Sequence, residues 1–173
     1  MQKTLIKSLI AVMASTYISY LLQTSLFSRI SLAGVTPNLI LVTTSLTGFM
    51  LGAKYGMITG FVGGLLLDVF VGTNFGMFAL IYLYIGFING SLSTIYYGDD
   101  IKLPMLLVGI SDFLFGMIVY ASMFLLRDRS DIGYYISNVI MPEVVYSMLV
   151  SLFFYFPIRR LCEWVVQTDK GRG

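Results

Sequence analysis

The sequence contains no histidine, and its 173 residues include a single cysteine, Cys162. The usual nitrogen ligands for transition metals are therefore missing, and one cysteine cannot build an intrachain disulfide framework. Charged residues make up only 12% of the chain, and no basic run predicts a nucleic-acid surface. These absences exclude a disulfide-stapled domain, and we expect neither a cofactor or bound metal nor a nucleic-acid partner.

Long apolar runs dominate what is present. The chain is 57% hydrophobic, with a mean hydropathy of +0.85, which is typical of an integral membrane protein. Its length suits about six helices of about 20 residues and leaves no room for a separate soluble domain. We predict one compact all-α transmembrane domain over residues 1–173, with spans at about 8–27, 37–51, 56–71, 76–97, 103–126 and 136–156.

Several helix ends follow from local signals. Thr36 is the predicted N-cap of the second span, with Pro37 at its first position, where the missing N–H costs nothing. Gly52–Tyr55 is a predicted tight turn into the third span. Pro142 is expected to interrupt the sixth span early, and Pro157 to end it. In the first span Ser8, Ser15, Ser19 and Gln23 share one side, which is expected to meet neighbouring helices.

Glycine recurs at every fourth position through the middle of the chain, at 48, 52, 56, 60, 64, 72 and 76, and Asp68 falls in the same register. Residues four apart share a helix face, so these glycines predict a groove for a close-packed backbone. The groove serves the chain's own helices, a partner helix anchored by Asp68, or both. The candidate packing or partner-binding residues are Gly56, Gly60, Gly64, Asp68, Gly86 and Gly90.

Three acids fall inside predicted spans: Asp68, Asp112 and Glu143. Each needs a reason, because an Asp at a helix centre costs about 2.5 to 3.5 kcal/mol on insertion scales. No lysine or arginine lies in a span interior, so these candidate buried polar or pocket residues are expected to be protonated, hydrated or hydrogen-bonded. Asp68 and Glu143 are placed to share an outward-facing pocket, and Asp112 to lie at a helix interface. Phosphate-loop and serine-elbow motifs are absent, so we do not expect an enzyme.

The distribution of basic residues predicts the orientation. With six spans, the termini share one side with the second and fourth loops. That side carries eight basic residues, and the opposite side carries three, Arg29, Arg127 and Arg129. Because positive residues favour the cytoplasm, both termini are expected there. The eight are Lys3, Lys7, Lys54, Lys102, Arg159, Arg160, Lys170 and Arg172.

Taken together, these motifs resemble a known family. Residues 36–39 read Thr-Pro-Asn-Leu, residues 60–68 read GFVGGLLLD, and Gly86 and Gly90 follow. Pro142 and the Phe156-Pro157 ending with Arg159-Arg160 continue the pattern. The sequence resembles the bacterial rod shape-determining protein MreD family over essentially its whole length, and most specifically from Pro37 to Gly90.

The resemblance implies a six-helix inner-membrane protein of the cell-wall elongation machinery, without catalytic activity. Its implied partner is MreC, a single-pass protein, with links to MreB, to RodA and to its penicillin-binding transpeptidase. Our hypothesis is a membrane scaffold whose Gly60 and Gly64 receive the transmembrane helix of MreC. The family fold is similar to the substrate-binding subunits of energy-coupling factor transporters. The alternative is therefore a small-molecule-binding subunit of that type, with Asp68 and Glu143 lining its pocket.

Overall fold

The computed structural model describes residues 2–27, 29–30, 34–71, 76–95, 101–123 and 132–170. These residues form helices and no strand, which confirms the all-α prediction. The α-helices are α1 (Gln2–Leu21), α2 (Leu39–Leu51), α3 (Ala53–Val71), α4 (Met77–Ser91), α5 (Lys102–Met123), α6 (Ile132–Tyr135) and α7 (Met141–Lys170). A π-helical segment, Leu22–Phe27, extends α1, a second, Ile136–Ile140, joins α6 to α7, and a 3-10 turn, Leu92–Ile95, follows α4.

Five helical segments in the described ranges are long and apolar enough to cross a membrane, so the chain is a multi-pass membrane protein. They are Ile6–Phe27, Ala53–Phe70, Met77–Thr94, Lys102–Ser122 and Ile132–Thr168. The remaining apolar helix, α2, has 13 residues. At 1.5 Å per residue it is about 20 Å long, less than the roughly 30 Å of a hydrocarbon core.

The short helix α2 lies at the centre of the bundle. It contacts α1, α3, α4, α5 and α7, and every residue from Leu39 to Phe49 is buried. A helix that is buried all round is the core of its domain, and here it keeps the hydroxyls of Thr43 and Ser45 away from lipid. The helices around it turn large apolar side chains outward, among them Phe70 and Phe153.

The two ends of α2 differ from the predicted ones. Asn38, rather than Thr36, is the N-cap, because its side-chain oxygen accepts a hydrogen bond from the backbone N–H of Leu41 at 3.2 Å. At the other end the predicted four-residue turn shrinks to Gly52, whose φ of 95° suits glycine. As a result α3 begins at Ala53 instead of Gly56.

The prediction that the last span ends at Pro157 is wrong, because α7 runs through it to Lys170. A proline removes one backbone hydrogen bond but is tolerated in a packed membrane helix. Beyond it, Ile158, Cys162 and Val165 continue a buried face at helical spacing. The expected interruption near Pro142 is a π-helical segment just before α7. The predicted ends at 96–97 and 124–126 lie outside the described residues.

Candidate functional site

Small residues bring the backbones of α3 and α4 into direct contact along what we call the glycine seam: Gly56, Gly60 and Gly64 of α3 with Gly86 and Gly90 of α4. A Cβ added at Gly56 would collide with the Gly86 carbonyl, and one at Gly60 with the Tyr82 carbonyl. One at Gly64 would lie 2.5 Å from the Ala79 Cα. The seam therefore has room only for glycine at these positions.

The central helix closes the seam from a third side. A Cβ at Gly48 of α2 would lie 2.9 Å from the Gly86 oxygen and 3.3 Å from the Gly90 nitrogen. The groove predicted from the glycine spacing is thus filled by the chain's own helices. Gly60 and Gly64 face α4, so a partner helix would have to displace α4 to reach them.

Asp68 completes the same interface. It is only 2% exposed, and its two carboxyl oxygens accept hydrogen bonds from the backbone N–H groups of Phe78, at 3.0 Å, and Ala79, at 2.9 Å. Those N–H groups belong to the first turn of α4, where a helix has no internal acceptors and favours a negative charge. The local N-cap residue, Gly76, has no side chain to do this. Asp68 of α3 therefore caps α4.

The first turn of α2 is capped in a different way, by side chains from three segments. The backbone N–H of Asn38 donates to Ser147 of α7 at 3.0 Å, and that of Ile40 to Gln23 at 3.1 Å. The Asn38 side chain accepts from Leu41. The bonds to Ser147 and Asn38 are buried and the one to Gln23 is partly buried, so water has little access to replace a missing partner. The first turn of α2 is consequently surrounded by polar side chains within an otherwise apolar core.

Around that point lies the buried polar cluster, which comprises Asn38, Tyr82, Asp112, Glu143 and Ser147. The Tyr82 hydroxyl donates to the Asn38 side-chain oxygen at 2.7 Å. Asp112 is 2% exposed, and neither of its carboxyl oxygens has a hydrogen-bond partner among the described residues. Ser147 and Asn38 are polar neighbours of this carboxyl group. Glu143 is a second acidic residue that interacts electrostatically with Asp112.

The sequence segments that contain this cluster have no basic residue. Lysine and arginine are absent from residues 30–53, 55–101, 103–126 and 130–158, which contain every member of the cluster. Glu143 of α7 interacts electrostatically with Asp112 of α5, and these two helices pack together, whereas Asp68 lies at the start of α4. Both oxygens of Asp68 are bound there, and a pocket shared by Asp68 and Glu143 stays a prediction.

Sequence reasoning missed Asn89, which joins three helices. From α4, its side-chain nitrogen donates to the Ser111 hydroxyl of α5 at 2.8 Å, to its own helix at Ile85 at 2.9 Å and, at 3.4 Å, to Ser45 of α2. An asparagine in an otherwise apolar span was the available signal, since such amides bond across membrane helices.

The described residues offer little for catalysis or metal chemistry. They contain no group of three or more His, Cys, Asp or Glu side chains placed to hold a metal ion. A surface depression lies along α7, beside Phe156, Arg160 and Trp164, and its lining includes none of the three intramembrane acids. Within the described residues, the notable polar features are the closed interface at Asp68 and the buried polar cluster.

Comparison with known proteins gives one result. A family model described as rod shape-determining protein MreD matches residues 3–165. No curated protein and no solved structure matches the chain. The matched range includes the glycine seam, the Asp68 cap and the buried polar cluster.

Proposed function

Because the chain belongs to the MreD family of rod shape-determining proteins, we propose that it is a non-catalytic scaffold that binds MreC in the bacterial inner membrane. The family match over residues 3–165 is the observation that carries this proposal. The scaffold would serve the cell-wall elongation complex, with MreB, RodA and its penicillin-binding transpeptidase as further members. The excess of basic residues on one side supports cytoplasmic termini.

The packing of the interior supports a binding role for the outer surface. The glycine seam is filled by α2, α3 and α4, and Asp68 is used by α4, so none of these groups is free for a partner. A partner helix would instead contact the outward side chains of the peripheral helices. Since lipid provides little hydrophobic drive between helices, shape complementarity with such side chains would supply the specificity.

Exposed aromatic residues on four helices provide positions for locating MreC. Phe61 of α3, Tyr84 of α4, Phe113 of α5 and Phe153 of α7 are all at least 36% exposed. A photo-crosslinking phenylalanine analogue placed at each position in turn should leave the core intact. In membranes containing both proteins, we expect crosslinks to MreC from one helix or two neighbouring helices, with the other positions as matched controls.

The crosslinking experiment tests only whether the chain contacts MreC. If no position gave a crosslink and MreC also failed to co-purify with the unmodified chain, the proposed binding would be wrong. Crosslinks of equal yield from all four helices would indicate random collision and would also contradict it. Orientation is checked separately by reporter fusions at both ends, which should report the cytoplasm.

A further inference from the structure

The surface depression on α7 has a lining that changes from apolar to charged along the helix. It is open to the surface and measures about 890 Å³, within the size range of small-molecule sites. Its described lining begins at Phe156 and ends at Trp164, and Arg159, Arg160 and Glu163 lie between them. The depression therefore offers an apolar surface and charged groups side by side, which suits an amphipathic ligand.

The exposed face of α7 shows where the membrane interior ends. Large apolar side chains recur on this face at helical spacing, and each is more than half exposed: Val145, Leu149, Phe153 and Phe156. Four residues beyond the last of them, the same face carries Arg160, which is exposed. Arginine and tryptophan side chains favour the boundary between membrane and water. The depression consequently lies at the level of the lipid headgroups.

The charges in the depression leave one positive group over. Arg159 donates to the Glu163 carboxylate at 2.8 Å, and its Cζ lies 6.0 Å from the centroid of the Tyr155 ring. The Arg160 side chain, by contrast, forms no hydrogen bond or ion pair with another residue in the described part of the chain. A guanidinium binds phosphate oxygens in a bidentate manner. A headgroup with one phosphodiester and no positive group of its own matches this single positive charge.

We propose that the depression on α7 binds an anionic phospholipid, with the lipid phosphate on Arg160 and an acyl chain against Phe156. Trp164 lies beside the headgroup at the same level of the membrane. With the expected cytoplasmic termini, the site faces the cytoplasmic leaflet, whose surface is negative. The site does not depend on MreC, so either proposal can fail while the other stands.

Trp164 is the only tryptophan of the chain, so its fluorescence reports on this depression alone. The test is quenching of that fluorescence by phospholipids with brominated acyl chains, in vesicles that contain the purified full-length chain. Brominated phosphatidylglycerol and brominated phosphatidylcholine are compared at equal mole fractions in unlabelled phosphatidylcholine. We expect about fivefold tighter binding of phosphatidylglycerol, since one basic residue contributes about that much near an anionic membrane surface.

Substitution of Arg160 should remove this preference. In Arg160→Gln the two brominated lipids should quench equally, whereas Arg160→Lys should keep part of the preference, because an ammonium retains the charge without the bidentate geometry. The matched control is Lys54→Gln, which removes the same charge from an exposed position on α3. This control should keep the wild-type preference.

Four results would overturn the proposal. The first is equal quenching of the wild type by the two lipids, and the second is a preference that survives Arg160→Gln. The third is loss of the preference in Lys54→Gln as well, which would indicate general surface charge instead of a site. The fourth is the absence of quenching by any brominated lipid, which would mean that protein covers the depression. Brominated phosphatidylethanolamine should quench like phosphatidylcholine, and quenching as strong as that by phosphatidylglycerol would contradict the anionic headgroup.

Discussion

Two aspartates in this protein are buried to the same extent and have opposite surroundings. Asp68 and Asp112 are each 2% exposed. Both oxygens of Asp68 accept backbone N–H groups, whereas neither oxygen of Asp112 has a hydrogen-bond partner in the described part of the chain. Burial alone therefore does not define the role of an acid in a membrane domain. The groups that face it decide whether it can hold two helices together.

The difference extends to the regions that contain the two acids. The glycine seam and the Asp68 cap are closed by backbone atoms, so every polar group of Asp68 is used within the chain. The buried polar cluster is lined by side chains of α2, α4, α5 and α7, and it contains two acids without a cation. We conclude that the first region holds two helices together through closed contacts, whereas the second contains a buried acid without a backbone partner.

The largest loss of stability is expected for a substitution in the glycine seam. Gly86→Leu would drive a side chain into the Gly56 backbone, and the two helices would have to separate. We expect a loss of about 4 kcal/mol or more in unfolding free energy, the range of severe core overpacking. Gly133→Leu is the matched control, because nothing lies within 4 Å of its added Cβ. The purified yield and the unfolding free energy from denaturant titration in detergent are measured for both variants. Similar stability of the two variants would show that the seam does not hold α3 and α4 together.

The second-largest loss of unfolding free energy is expected when the Asp68 cap of α4 is removed. Asp68→Ala leaves two buried N–H groups of α4 without acceptors, so we expect a loss of about 3 kcal/mol. The start of α4 should loosen first, and hydrogen exchange at Phe78 and Ala79 measures this directly. Unchanged protection at both amides would mean that Asp68 does not cap the helix.

A smaller effect is expected at the beginning of α2. Asn38→Ala removes the N-cap of α2 and the acceptor of the Tyr82 hydroxyl, for a loss of about 2 kcal/mol. Tyr82→Phe, which removes only the hydroxyl, is the control. In the double variant the Tyr82 change should cost less than it does alone, since its partner is already gone. Full additivity of the two changes would contradict the hydrogen bond.

The sequence predicted those features that depend on local spacing. A glycine at every fourth position placed the close approach on α3 and α4, because residues on one helix face stay together whatever the rest of the chain does. The polar side of α1 likewise meets α2, where Ser19 and Thr43 share a 2.7 Å hydrogen bond and Gln23 bonds Ile40. The all-helical fold follows from composition and length alone.

Features that depend on partners far away in the chain could not be predicted from the sequence. Asn38 caps α2 with help from Ser147, which is 109 positions away, and no spacing rule joins the two. Asp112 and Glu143, 31 positions apart on α5 and α7, interact electrostatically across two helices that pack together. Pro157 was expected to end a helix, but the buried face beyond it continues α7, since tertiary packing offsets the lost hydrogen bond.

The contrast between the two acids is tested most directly by the same substitution at both positions. We would measure the unfolding free energies of Asp68→Asn and Asp112→Asn in the same detergent and buffer. Asp68→Asn should lose about 1 to 2 kcal/mol, because an amide has one acceptor oxygen for two N–H groups. Asp112→Asn should be neutral or gain about 1 kcal/mol, because it removes a buried acid that lacks a partner. Destabilisation of similar size at both positions would contradict the account.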